Sequence, residues 1–338
     1  MTATAPTRGS AAIPQAESTI PPTSLADCDA ALEVLTAKKD DWVALDIPGR
    51  IAVLEALISG TEAVAEEWIA AACTAKGIAR GAGGEGEEWL AGPFTVMRNI
   101  RLLIGALRQI QAKGRPVPPG PVVTRDNGQL RVKVFPAEIW DRLFYQGFTA
   151  EIWLQEGPTA ETLPAFQATA YRQKAEGQTP EGKVALVLGA GNVASIGPMD
   201  AFYKLFVEDQ VVVLKMNPVN EYLGPFIEKS CRPLIEAGFL RVVYGGAEQG
   251  IHLCQHDLVD EIHITGSDKT HDAIVYGGGE EGRQNKANRT PTNTKRITSE
   301  LGNVSPVIVV PGPWSAKDLA FHGTNLASML TNNAGLNC

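Results

Sequence analysis

Apolar positions in the first third of the chain recur at the spacing of helix faces. Ile51, Leu54, Leu57 and Ile58 are followed by Val64, Trp68 and Ala72, so one stripe runs to about Ile78. Ser24 followed by Asp27 reads as a helix start, because a short polar side chain can cap free backbone N–H groups. Pro48 suits a first helical turn, where its missing N–H costs nothing. Glycines between Gly81 and Gly86 break the pattern, and a second long helical stretch is predicted from Trp89 to Ile110. Pro116 to Pro121 follows as a rigid connector. Beyond it, Asn127-Gly128 lies between Val122-Val123 and the alternating Leu130, Val132 and Val134. That pattern predicts a β-hairpin closed by a type I′ turn.

The stretch from Pro136 to Pro180 has no clean period. It gathers Trp140, Phe144, Tyr145, Phe148 and Trp153, which are expected to cover a core; the sharper alternative is a wall over a bulky substrate. From Lys183 onward strands and helices alternate. Strands are predicted at Val184–Leu188, Val211–Leu214, Arg241–Tyr244, Glu261–Ile264 and Val307–Val310. Helices are predicted at Ala194–Phe206 and at Glu221–Ala237, the latter ended by Gly238. The alternation predicts an α/β fold, a doubly wound parallel sheet with helices on both faces and a helical front. No internal repeat is present.

Composition narrows the class. The chain has 338 residues, and 30 Lys and Arg against 38 Asp and Glu leave a net charge of −8. A general nucleic-acid or anionic-membrane binder needs a basic face, so neither partner is expected. No apolar run approaches the length of a membrane span. Five scattered cysteines make no C-x-x-C pair and suit reduced thiols in a cytoplasmic protein; no metal site is assigned. Residues 1–23, rich in Ala, Pro, Ser and Thr, read as a flexible head without the apolar centre of a signal peptide.

Gly189-Ala190-Gly191-Asn192-Val193-Ala194 fits G-x-G-x-x-A between a predicted strand and a predicted helix. Glycines there permit a tight turn and close approach to a pyrophosphate at a helix N-terminus. An ordinary dinucleotide fold then needs an acid after the second strand, about 20 residues on. Glu208 and Asp209 precede that strand instead, and the strand ends in Lys215. A plain Rossmann reductase is therefore the weaker reading.

Further motifs follow in order: Val213-Leu214-Lys215-Met216-Asn217-Pro218, Ile264-Thr265-Gly266-Ser267, Glu300-Leu301-Gly302 and Asn333-Ala334-Gly335-Leu336-Asn337-Cys338. Together with the glycine loop they resemble the aldehyde dehydrogenase superfamily, closely from Lys183 to Cys338 and more loosely through the helical front and hairpin. The resemblance implies NAD- or NADP-dependent oxidation of an aldehyde to an acid. Cys338 matches the nucleophile, Asn192 the amide that stabilises the oxyanion, and Glu300 the base that activates water for thioester hydrolysis. Lys215 matches the residue at the adenosine ribose, Gly266 and Ser267 open the pyrophosphate helix, and Gly245 lies beside the adenine pocket. Gly191 and Leu301 fall at the cofactor as well. A cysteine serves both half-reactions because it is a good nucleophile and a good leaving group. Taken singly, each residue has a plainer reading: an inert thiol, a turn asparagine, a solvated glutamate.

The implied layout is a head at 1–23, a cofactor domain at 24–300 with a hairpin arm near 120–135 and an insertion at 136–180, and the opening of a catalytic domain at 301–338. A small aldehyde or acyl substrate and a homo-oligomer are expected for the full protein. Several positions depart from the pattern. Asn303 and Val304 replace a Gly and a Lys, Leu336 a Gln, and His271 a Gly of the pyrophosphate helix. Pro218 replaces an acid that contacts the ribose in many NAD-preferring members, which admits NADP. Gly277 to Thr294 reads as an exposed polar loop. Members of the family continue well beyond the nucleophile, so the 338-residue chain is expected to be a fragment, inactive alone. The alternatives are an acyl-CoA reductase using the same cysteine, or a non-catalytic dinucleotide-binding module.

Overall fold

A computed structural model describes residues 20–302 and 305–336 of the chain. Helix α1 (Leu25–Ala44) begins at Ser24, whose hydroxyl accepts the Asp27 N–H at 3.1 Å. Such caps are worth about 1 kcal/mol. Helix α2 (Ile47–Lys76) is capped by Asp46, carries Pro48 in its first turn and ends at Gly77 in the left-handed region. Its stripe of Leu54, Leu57, Val64, Trp68 and Ile69 is fully buried. The glycine-rich break is shorter than predicted: α3 (Gly83–Trp89) starts inside it, steadied by Glu85, which accepts the Gly81 N–H. A wide turn at Leu90–Phe94, with Gly92 and Pro93, then kinks the path into α4 (Thr95–Lys113). The kink falls at Gly92 (φ −114°, ψ −115°), the residue before Pro93, whose ring disfavours helical angles at the position it follows.

The hairpin forms from β1 (Val122–Thr124) and β2 (Leu130–Phe135), with Val122 opposite Val132. Its turn is not type I′. Only Gly128 has a positive φ, 84°, and its N–H closes a turn onto Arg125 at 2.8 Å. After α5 (Ile139–Phe144), strand β3 (Ala150–Trp153) adds to the other side of β2, giving an antiparallel sheet ordered β1-β2-β3. The aromatic cluster does not cover a core: Trp140, Phe144, Phe148 and Trp153 are 48–70% exposed. Asp141, on the inner side of α5, is instead held bidentately by Arg98 at 2.9 and 2.8 Å, turning the aromatic side outward.

The chain then returns through α6 (Thr169–Ala175). Tyr171 donates to Phe206 O, and Lys174 binds Val43 O and Asp209. Asp209 also receives Arg50 at 2.5 Å, both side chains almost wholly buried. This acid is therefore a structural anchor at the far end of its strand from the predicted cofactor edge. Glu208 is likewise occupied, by Lys204 and Arg296.

The second sheet is parallel throughout: β4 (Val184–Leu188), β5 (Val211–Lys215), β6 (Leu240–Val243), β7 (Glu261–Gly266) and β8 (Arg296–Leu301), in the order β6-β5-β4-β7-β8. Helix α7 (Ile196–Phe206) covers one face, where Asp200 meets Thr265 and His263. The predicted helix at 221–237 is broken into α8 (Gly224–Ser230) and α9 (Arg232–Glu236), each opened by a proline. Gly238 does take φ 80°. Helix α10 (Ala247–Gln255) joins α1 on the other face.

After α11 (Asp268–Tyr276), the predicted polar loop contains a helix, α12 (Gly279–Asn288). Its charges are solvated or paired, Lys286 with Asp272 at 2.5 Å, so polarity did not preclude a helix. Strand β8 is absent from the sequence prediction. The predicted strand at Val307–Val310 does not form; those residues are 56–81% exposed and pair with no strand among the described residues. Helix α13 (Ala316–Thr331) and a short turn at Asn332–Gly335 follow. Residues 1–19 of the predicted head lie outside the described residues, while Thr23 is pinned, its N–H donating to Tyr244 O at 3.1 Å. Among the described residues no helix is long and apolar enough to cross a membrane.

Candidate functional site

Parallel sheets bind ligands beyond the carboxyl ends of their strands, where the order of strands reverses. Here that point lies at β4, flanked by β5 and β7. Its end carries the glycine loop, the end of β5 carries Lys215, that of β6 leads into Gly245, that of β7 into Gly266 and Ser267, and that of β8 holds Glu300 and Leu301.

Gly191 is required by its own protein neighbours. A Cβ there would lie 2.7 Å from Asn217 Oδ1 and 3.1 Å from Val219. The loop is held further by Asn220, which donates to Ala190 O at 2.8 Å. Gly245 has φ 126°, and a Cβ would strike Gln249 Oε1 at 2.4 Å. Lys215 is buried, and its ammonium donates to Gly245 O at 2.5 Å and Met216 O at 3.3 Å. Burial lowers its pKa, countered in part by the Glu221 carboxylate.

Gly266 opens outward, with no contact nearer than 3.8 Å to a Cβ placed on it. Ser267 caps α11, its hydroxyl accepting the Lys269 N–H at 3.1 Å. His271 is directed to Asp272, 3.6 Å away. Gly266 and Ser267 thus form an uncrowded helix start, the end of a helix where the dipole favours negative charge. Gly191 and Gly245 are fixed by contacts within their own loops, whereas Gly266 leaves open space at the start of α11.

Asn192 leads into α7, and its Nδ2 donates to Leu336 O at 2.9 Å. In return Asn333 Nδ2 donates to Asn192 O at 2.7 Å. Asn333, at φ 52°, is held from the front of the molecule: its N–H donates to Glu87 at 2.8 Å and its side-chain oxygen accepts from Lys76 at 2.7 Å. Lys76 also pairs with the buried Glu88 at 2.7 Å. Lys76, Glu87 and Glu88 were missed in the sequence; the adjacent acids in a glycine-rich stretch were the only local signal. Cys338 lies outside the described residues, two positions beyond Leu336.

Glu300 is exposed and pairs in register with Thr265, as Leu301 does with Gly266. Thr265 and His263 point to the α7 face, so strand alternation puts Glu300 on that same side and Lys215 on the opposite one. Glu300 thus lies on the α7 side of the sheet, and among the described residues no hydrogen bond joins it to Asn192.

No protein-family model matches the chain, and no curated protein matches it. Solved structures do. An aldehyde dehydrogenase from Burkholderia cenocepacia, itself described as putative, superposes with a TM-score of 0.56 at 19% identity, over 95% of this chain and 53% of that one. Aldehyde dehydrogenase C of Pseudomonas syringae, solved as a mutant with NAD+ and octanal, gives 0.52 at 16% identity, over 92% and 49%. A glyceraldehyde-3-phosphate dehydrogenase from Methanocaldococcus jannaschii, complexed with NADP, gives 0.52 at 14% identity, over 85% and 48%. The chain spans about half the length of the structures it matches. Over the part it spans, the chain has the aldehyde dehydrogenase fold.

Proposed function

We propose that this chain provides the dinucleotide-binding half, the oxyanion amide, the nucleophile and the base of an NAD(P)-dependent aldehyde-oxidising enzyme. The observation that carries this reading is the reciprocal pair of hydrogen bonds between Asn192 and the Asn333–Leu336 segment. It brings the carboxamide beside the stretch leading to Cys338. One N–H of Asn192 is used on Leu336 O, and the other remains to donate to an oxygen that gains charge.

In this reading the Cys338 thiolate adds to the aldehyde carbon, and Asn192 stabilises the resulting oxyanion. Bound at Lys215, Gly245, Gly266 and Ser267, with Gly191 and Leu301 alongside, NAD or NADP would supply the hydride acceptor. Glu300 then takes a proton from water as that water attacks the thioester carbonyl, releasing the acid and restoring the thiol. The similarity to structures solved with NAD+ and with NADP supports the cofactor class.

The test is a rapid-mixing assay of the full protein with an aldehyde and either cofactor, comparing Glu300→Gln with Cys338→Ser. The reading requires a burst of reduced cofactor in Glu300→Gln without steady turnover, and no burst in Cys338→Ser. A burst that survives loss of Cys338 would overturn it. So would turnover that needs coenzyme A, which belongs to an acylating reductase instead.

A further inference from the structure

Three ligand-type atoms converge between α1 and α10, none of them used in the reading above. His252, in α10, and His256, at its C-terminal cap, are four residues apart, so their side chains leave one side of the helix. Asp29 of α1 faces both: its Oδ1 lies 2.5 Å from His252 Nε2 and 3.3 Å from His256 Nε2. All three ligand atoms lie within 4.8 Å of one another, and the residues are half-buried. The two rings meet nearly edge to face, their centroids 5.5 Å apart. Sequence spacing alone assigns no metal here, because the carboxylate comes from more than 200 residues away. We propose that Asp29, His252 and His256 bind one divalent transition-metal ion of the zinc type, clipping α1 to α10.

The donor set decides the class of ion. Two imidazoles and one carboxylate suit zinc, cobalt, nickel or copper, whereas magnesium and calcium prefer oxygen donors throughout. Zinc bonds of about 2.0–2.2 Å at tetrahedral angles put ligand atoms roughly 3.3–3.5 Å apart. Asp29 and His256 already stand at 3.3 Å. His252 has to withdraw by about 1 Å, the ion replacing the proton it shares with Asp29. Water completes the coordination on the exposed side.

Binding has one identifiable cost. The Leu258 N–H donates to His256 Nδ1 at 3.1 Å, so the neutral ring now carries its proton on Nε2. Coordination through Nε2 moves that proton to Nδ1 and turns the Leu258 N–H toward water, forfeiting one hydrogen bond of about 1 kcal/mol. Lys295 sits behind His256, its ammonium 2.5 Å from the carbonyl oxygen, and adds mild repulsion. Both effects disfavour weak imidazole binders.

The chelator-treated chain is titrated with Co2+, then with Zn2+ and Mg2+, following visible d–d absorption and Tm. The site requires one Co2+ per chain, displaced by Zn2+ but not by Mg2+, and a rise in Tm on adding zinc. The double variant His252→Gln/His256→Gln must lose the bands and the zinc-dependent rise. Absent bands in the wild type, or equal bands in the double variant, overturn the proposal. If the double variant unfolds, Asp29→Asn is read instead: weaker cobalt binding supports the site and unchanged binding overturns it.

Discussion

Lys76, the last residue of α2, reaches Asn333 Oδ1 at 2.7 Å across 257 positions of sequence. The same ammonium holds Glu88, which is 3% exposed. Helices at the front of the molecule therefore fix the turn before the candidate nucleophile. Lys76→Met should leave Glu88 without its cation and free the turn, costing about 1–3 kcal/mol of local stability. Faster amide exchange over residues 332–336, with the sheet unchanged, is the expected signature. Unaltered exchange there would show that the tether is dispensable.

Asn192 offers a cleaner chemical test. Asn192→Ala should slow formation of the acyl-enzyme by roughly 10²–10³-fold, the usual loss of an oxyanion donor. Single-turnover rates measure it. Thermal stability should fall only slightly, because the hydrogen bond to Leu336 O that the variant loses is worth about 1 kcal/mol.

Gly245→Ala tests the loop at the end of β6. Its φ of 126° and the Gln249 contact leave no room for a methyl group. Dinucleotide affinity should fall, with a cost to stability of about 1–3 kcal/mol. Isothermal titration of cofactor and urea unfolding separate the two effects.

Acid stability should depend on Glu261. Burial pushes this carboxyl up, yet hydrogen bonds from Lys183, Gln210 and Arg296 outweigh it and hold the pKa at about 2, against 4.5 ordinarily. A depressed carboxylate stabilises the fold above its unfolded pKa and loses that contribution as the pH falls toward its folded one. Wild-type stability should therefore drop between about pH 4.5 and pH 2. Glu261→Gln should be less stable at neutral pH and should flatten that part of the curve, as urea midpoints across the range will show.

Pro218 bears on the choice of cofactor. It is exposed just beyond β5, where an acid would repel a 2′-phosphate. The wild type should accept NADP, and Pro218→Glu should weaken NADP by about tenfold while sparing NAD, a difference of about 1.4 kcal/mol. Side-by-side titrations decide it.

Local rules made much of the fold legible. Ser24, Pro48 and Gly238 mark helix ends through chemistry confined to a few neighbouring residues, and the Val-rich runs of β4 and β5 read directly as buried strands. What failed depended on distant partners. Val307–Val310 has a strand's composition but no neighbour to pair with among the described residues. The aromatics of 140–153 have the composition of a core, and only the Arg98–Asp141 pairing shows which way they turn. Polar α12 lacks an apolar stripe, and one of its charge pairs, Lys286 with Asp272, reaches another helix. For the site, resemblance picked out Asn192 and Glu300, while Lys76 and Glu87 become visible only once the chain has folded back on itself.

The outward turn of the 136–153 segment also divides the tryptophans optically. Of the six tryptophans, Trp42 and Trp68 are sealed in the core at 0% and 1% exposure, Trp89 is half-buried against it, and Trp140, Trp153 and Trp314 are about half open, at 48%, 53% and 46%. A collisional quencher such as acrylamide should reach the open group and miss the sealed pair. The chain thus carries two separate fluorescence signals, one reporting whether something covers its outer aromatics and the other whether its interior has come apart.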